Sequence, residues 1–583
     1  MSRTKVLAAT AVATFLWAGE AAAAEAPPLA IVGARVFDGD KVLPKATVVV
    51  RGGKVVAVGA GVKPPAGATV VDGTGKTLLP GLIDAHTHTF GAAQTDALRF
   101  GVTTELDMFA HPSVLKGMAA ARESLAATTQ ADLYSAGILA TSPKGHGTEY
   151  GFEIPTLTAP DQAEAWVQAR IAEGSDYIKI VYEPPIEGRR ALPSIDRLIL
   201  EAVVKAAHAQ GRMAVVHIST LKGACESIEA GADGLVHAFA DVAAGEDFYR
   251  LAAARRVFVV PTLSVIGGIG GSGEGARLAA DPRIAPLLSA EQASAMKTSI
   301  RSPFYKYPVA QAEVAALKAA RVDVLAGTDA GNPTTAHGAT LHEEMALLVG
   351  AGLTPVEALK AATSTPARRF SLTGRGRIAV GARADLVLVN GDPTTDIEAT
   401  RAIAGIWKNG FLVERKVAGP PPGRPLAGLL GDFATGLGGP DGTTWDRTSD
   451  QLAGGKSEAR VSRTPAGALK VEGEIKPPFP FAWGGAMLLL GSSTAARDIS
   501  GVKDLVFRVR GAGSGPQGRA MLFDVASPQP KQRPFTFSAH WQEVRIPVAS
   551  FAGLNPKAVI GVVIATDPTP GAFAFEVDDV RLE

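Results

Sequence analysis

Between residues 78 and 373 short apolar runs alternate with longer stretches of helical periodicity, and this alternation limits the fold more than any other feature. The runs at 80–88, 102–108, 131–137, 177–182, 213–218, 234–239, 257–263 and 322–330 read as eight strands. Helical spacing fills several gaps, as in 195–209 and 221–230. Thr354, Pro355 and Glu357 mark one helix start: a capping threonine, a proline at the first helical position and a glutamate three residues after the cap. Eight β–α units within 80–373 fit an α/β fold of the (β/α)8 TIM barrel type better than an open sheet. The long stretch at 264–321, before the eighth strand, reads as an insertion able to form a lid.

The flanks have a different pattern. Residues 25–79 hold short strands separated by Gly-Asp, Gly-Gly and Asp-Gly turns, and residues 374–417 return to strand character. Together they predict a small β-sandwich built from both ends of the barrel chain. Residues 418–426 follow as a stiff linker, with four prolines between 418 and 425. In 427–583 the apolar residues alternate with period two, as in Leu505-Val506-Phe507-Arg508-Val509-Arg510, which predicts an all-β jelly roll.

The first 24 residues read as a signal peptide. Arg3 and Lys5 precede a mainly apolar run from Val6 to Ala18, shorter than the ~20 residues of a membrane span, and Ala21–Ala24 supplies small residues for cleavage. The expectation is a secreted, periplasmic protein with no membrane span after processing. A net charge of +1 gives no footprint for nucleic acid. The single cysteine, Cys225, excludes an intrachain disulfide, so burial must hold the core together.

Polar residues of one chemical kind recur at the predicted strand ends. His86 and His88 close the first strand, and an i, i+2 pair faces one way. His217, His237 and Asp329 end three others. Active sites of such barrels are built at the C-terminal ends of the strands, and imidazole with carboxylate suits Zn2+ or a similar divalent ion. If Ile178 and Ile180 face the helices, Lys179 faces the interior, where a bare ammonium beside cations is costly. Either Lys179 pairs with a carboxylate, or CO2 carbamylates it and reverses its charge.

These segments resemble the amidohydrolase superfamily, in its Xaa-Pro dipeptidase-like and imidazolonepropionase-like branch. The matching stretches are Pro80–His88, Tyr177-Ile178-Lys179-Ile180, Val216-His217, Leu235-Val236-His237, Gly327-Thr328-Asp329-Ala330 and Gly381–Val387. The resemblance implies two divalent metal ions, expected to be zinc. His86, His88 and Asp329 would hold one, His217 and His237 the other, with carbamylated Lys179 between them. It implies hydrolysis of an amide-type C–N bond in a small molecule such as an N-acyl amino acid, dipeptide or cyclic amide. A hydroxide between the metals would attack, with Asp329 as proton shuttle. Ser219 replaces a tyrosine that some dipeptidase relatives carry, which separates the metal chemistry from dipeptide specificity.

His146, in a Lys-Gly-His-Gly loop, is a candidate contact to the substrate carbonyl by the same resemblance, or else a solvated loop histidine. Tyr182, Arg189 and His337 are further candidates for substrate binding. The alternatives are a lactone, ester or phosphotriester hydrolase using the same residues, or a non-catalytic binding protein. The C-terminal unit faintly resembles the galactose-binding-like jelly roll of the complex I intermediate-associated protein family. Its ligand would be a glycan or a protein, and Trp445, Trp483 and Trp541 could form a stacking platform or serve as core.

Overall fold

A computed structural model describes residues 25–148, 154–185, 192–298, 302, 304–417, 424–450, 455–477, 482–490, 496–525 and 527–583. The expected signal peptide, Arg189 and most of the proline-rich linker lie outside these residues.

All eight expected barrel strands form: β1 (Leu82–Thr87), β2 (Val102–Asp107), β3 (Asp132–Ser135), β4 (Ile178–Val181), β5 (Ala214–His217), β6 (Gly234–Val236), β7 (Phe258–Val260) and β8 (Asp323–Val324). They pair in parallel as two ladders, β1-β2-β3 and β8-β7-β6-β5-β4. At the two seams the ladders meet through isolated bridges, Thr87 with Ala330 and Ala140 with Ile180. The seam bonds Asp329 N–H to His86 O (2.8 Å) and Ala140 N–H to Lys179 O (2.8 Å) lie at the residues the sequence marks for chemistry.

The helices start where capping chemistry places them. Asp196 caps Arg197–Ala209, Thr220 caps Leu221–Glu229, and Thr354 with Glu357 forms a reciprocal capping box on Pro355–Ala361. In Arg197–Ala209 the buried face is Ile199, Leu200, Val203, Val204 and Ala207, the 3–4 spacing of a helix laid on a sheet. The insertion before β8 contains the helices Leu263–Gly270, Glu274–Ala279, Ala290–Met296 and Tyr307–Ala319.

The flanking strands hydrogen-bond as one eight-stranded sheet rather than as two separate sheets. Leu386–Asn390 pairs antiparallel with Lys76–Pro80, so the returning chain continues the N-terminal ladder. A buried ionic pin joins this sheet to the barrel. Lys408, fully buried, reaches Asp385 at 2.8 Å and Asp132 at the start of β3 at 2.9 Å, and Arg375 also holds Asp132.

Residues 424–583 form two further sheets around their own apolar core. The alternating run at Leu505–Arg510 forms the strand Asp504–Ala512, in one sheet with Leu469–Ile475, Gln542–Pro547 and Gly571–Leu582. Trp445 lies in the core with its indole N–H on Leu430 O, and Trp541 lies beside Arg508 and Arg510. The three tryptophans thus make no common platform. Among the described residues no helix is long and apolar enough to cross a membrane.

Candidate metal centre and active site

The strand ends converge on a cavity of about 140 Å3 at the barrel mouth. His86, His88, His146, Lys179, His217, His237 and Asp329 all line it. The ring centroids of His86 and His237 are 4.8 Å apart, and those of His217 and His237 4.7 Å. Asp329 Oδ1 lies 3.2 Å from His86 Nε2 and 3.0 Å from His88 Nε2. Ligand atoms of His86, His237 and Asp329 fall within 4.8 Å of one another.

Local backbone geometry serves this convergence. His237, Thr262 and Asp329 all occupy the left-handed region, with φ of 64°, 49° and 57°. For the β-branched Thr262 this is costly, and such outliers gather at functional sites. Thr262 Oγ1 lies 2.8 Å from His237 Nδ1 and so fixes the ring. Behind the ligands, the buried Asp84 carboxylate accepts from His86 N–H, Thr328 N–H and Thr328 Oγ1, tying β1 to the turn after β8.

The polar atoms at the centre are incompletely satisfied by protein groups. Both ring nitrogens of His86, Lys179 Nζ and Asp329 Oδ1 are buried without a well-formed hydrogen bond. Unsatisfied buried groups are rare and each costs about 1–3 kcal/mol, so their clustering fits a site for divalent cations. The electrostatics favour ligand protonation states. Burial first, and then the charge of Lys179, push the His86 imidazolium down to about 3. Burial likewise holds His237 well below its ordinary value and lowers His217. Burial alone would raise Asp329, but His86, His88 and His237 hold it well below the usual carboxylate range. Burial drives Lys179 down to about 7, against the pull of Asp329 and Asp107.

The pleat of β4 decides which neighbours take part. Lys179 and Val181 face the cavity, so Ile180 and Tyr182 turn outward. The Tyr182 hydroxyl donates to Glu226 at 2.7 Å on a covering helix, which takes it out of the lining expected from sequence. His337 is also absent from the lining. It is buried with Nδ1 2.6 Å from Glu105 Oε1 on β2. His146 does line the cavity, with its ring 5.2 Å from that of His217. The sequence reading missed Glu183, immediately after β4, whose Oε1 lies 3.5 Å from His217 Nε2. Although burial opposes it, the His217 contact holds that carboxyl down to about 2. It also missed the helix Leu263–Gly270, which supplies one wall of the cavity.

A barrel whose mouth gathers five imidazoles, a carboxylate and a buried lysine defines a hydrolase of the metal-dependent kind. Residues 77–413 match the amidohydrolase family. The chain belongs to that family, and it is a hydrolase acting on carbon–nitrogen bonds. It is 29% identical over 380 residues to an imidazolonepropionase from Cereibacter sphaeroides, covering 61% of this chain and 91% of that relative. A putative prolidase from Bifidobacterium longum superposes with a TM-score of 0.55 at 24% identity, covering 68% of this chain and 97% of that one. Ochratoxinase from A. niger gives 0.52 at 21% identity, covering 67% and 96%.

Proposed function

We propose that the protein is a secreted, periplasmic amidohydrolase with two divalent ions, expected to be zinc, at the barrel mouth. His86, His88 and Asp329 would hold one ion and His217 and His237 the other, and a carbamylated Lys179 would supply a further anionic ligand. The observation that carries this reading is the convergence of His86, His88, Lys179, His237 and Asp329 on one cavity, with Lys179 Nζ and His86 Nδ1 buried there without a hydrogen bond.

Lys179 suits carbamylation because burial leaves much of its amine unprotonated near neutral pH. The amine lone pair adds to the carbon of CO2, a proton is released to solvent, and a costly cation becomes an anion. When bound, the metal ions supply Lewis acidity and bring the pKa of a water from 15.7 to about 7. Asp329 accepts a proton from the attacking water and delivers it to the leaving nitrogen. The C–O bond forms, the C–N bond breaks, and the products are a carboxylate and an amine. His146 lines the same cavity beside His217, where an imidazole N–H can hold the carbonyl oxygen as negative charge develops.

The substrate class is an amide of a small molecule: an N-acyl amino acid, a dipeptide or a cyclic amide. Dipeptides and imides enter because the names of the relatives include a prolidase and an imidazolonepropionase. A panel of these substrates, with matched esters and lactones, tests the reading on protein loaded with Zn2+. Amide hydrolysis lost in Asp329→Asn supports it, and turnover of lactones alone overturns it. For residues 427–583 we propose a glycan or protein ligand, with no part in the chemistry.

A further inference from the structure

Much of the cavity lining is apolar. Val265, Ile266 and Ile269 project from helix Leu263–Gly270, with Tyr305 from the same insertion and Leu139 and Ile218 from the barrel loops beside it. Among the described lining residues Lys179 is the only Lys or Arg, so none is free to receive a substrate carboxylate.

The wall is held in place. The buried carboxylate of Glu344 accepts from Leu263 N–H at 2.9 Å and Ser264 N–H at 2.8 Å, capping the helix at its first turn. Gly268 packs against Thr334 so closely that a side chain at this position would clash with it. A preformed apolar surface favours a group that needs no polar partner.

We propose that this wall selects the substrate: the amide carries one compact, uncharged hydrocarbon group, branched aliphatic or aromatic, that packs on Val265, Ile266, Ile269 and Tyr305. This rests on the amide hydrolase reading and narrows it to amides without a carboxylate, which sets N-acyl amino acids and dipeptides aside. The whole cavity measures about 140 Å3 and also holds the reacting amide, so the hydrocarbon group must be compact. Glu344 is a positioning residue for the wall and touches no substrate.

The test uses two series of amides, because either side of the bond can meet the wall. One has acetyl, isovaleryl, benzoyl and succinyl groups on a single amine. The other has acetyl on methylamine, isobutylamine and aniline. In one series kcat/KM rises at least tenfold from the smallest member to the branched or aryl one, as expected from about fourfold per buried methylene. The succinyl amide, which carries a carboxylate, does no better than acetyl. Ile269→Arg, at a half-buried position, abolishes the apolar preference and favours succinyl. Flat series, or a wild-type preference for succinyl, overturn the proposal.

A binding measurement separates this proposal from the hydrolase reading. Thermal shifts are recorded for wild type and Ile269→Arg with isovaleramide, benzamide and succinamate. Stabilisation of wild type by the first two only, lost in the variant, supports the wall even if no amide is turned over. In that case it is the hydrolase reading that falls. No shift with any apolar amide overturns the wall.

Discussion

Lys179 should make the metal-free protein less stable than it could be. Its side chain is 2% exposed, and Nζ has no hydrogen-bond partner. Burial moves its pKa from 10.5 to about 7, so the folded state disfavours the ammonium while the unfolded chain does not. At 1.36 kcal/mol per unit, the shift corresponds to about 5 kcal/mol of gross cost at neutral pH and below. Lys179→Met keeps the length and the apolar stem and removes the charge. We expect the variant, freed of metal and CO2, to be more stable by about 2–5 kcal/mol in urea melts at pH 7. The same substitution should lower amide hydrolysis by at least about 1,000-fold, because Met cannot form the proposed carbamate. Under CO2-free conditions wild type should also lose activity, and bicarbonate should restore it. Lower stability in the variant would refute the argument that an unpaired charge is buried there. Undiminished turnover would refute the carbamate.

Three further outcomes are expected. His146→Asn should lower kcat by about 100- to 1,000-fold with KM and metal content nearly unchanged, as for a donor that acts on the developing oxyanion; elemental analysis beside steady-state kinetics checks this. Glu313 is buried in helix Tyr307–Ala319 with neither oxygen well hydrogen-bonded, and burial with Asp241 raises its pKa well above 4.5. The fold therefore keeps a proton that the unfolded chain releases near pH 4.5, and stability falls as pH rises from there toward the folded pKa. Glu313→Gln should flatten that slope in urea melts between pH 5 and 9, and an unchanged slope would contradict the assignment. Lys408→Met removes the buried cation shared by Asp132 and Asp385, leaving Arg375 on Asp132, and should cost about 3–5 kcal/mol in urea melts.

Much of the barrel was legible because a strand buried on both faces is a short apolar run, and each run here ends at a turn or a polar residue. The metal-binding candidates were legible for the same reason: His217, His237 and Asp329 break apolar runs at their C-terminal ends. The inward direction of Lys179 followed from alternation with Ile178 and Ile180. That alternation, extended by two residues, would also have turned Tyr182 outward. Contacts between distant segments were not legible. His337 meets Glu105 across 232 residues of sequence, and nothing local to either signals the pair. The apolar wall lies in an insertion outside the barrel repeat, so its helix carries no periodicity that points to the mouth. The flanking strands were recognised, but their joining into one sheet depends on the Leu386–Asn390 register against Lys76–Pro80, which strand propensity does not encode.

Metal stoichiometry, determined by elemental analysis on protein loaded with Zn2+ and freed of excess ion, bears most directly on the central claim. Two ions per chain, falling in His217→Asn and in Asp329→Asn alongside activity, are what the gathered side chains require. Full amide hydrolysis by protein that binds no divalent ion would contradict it.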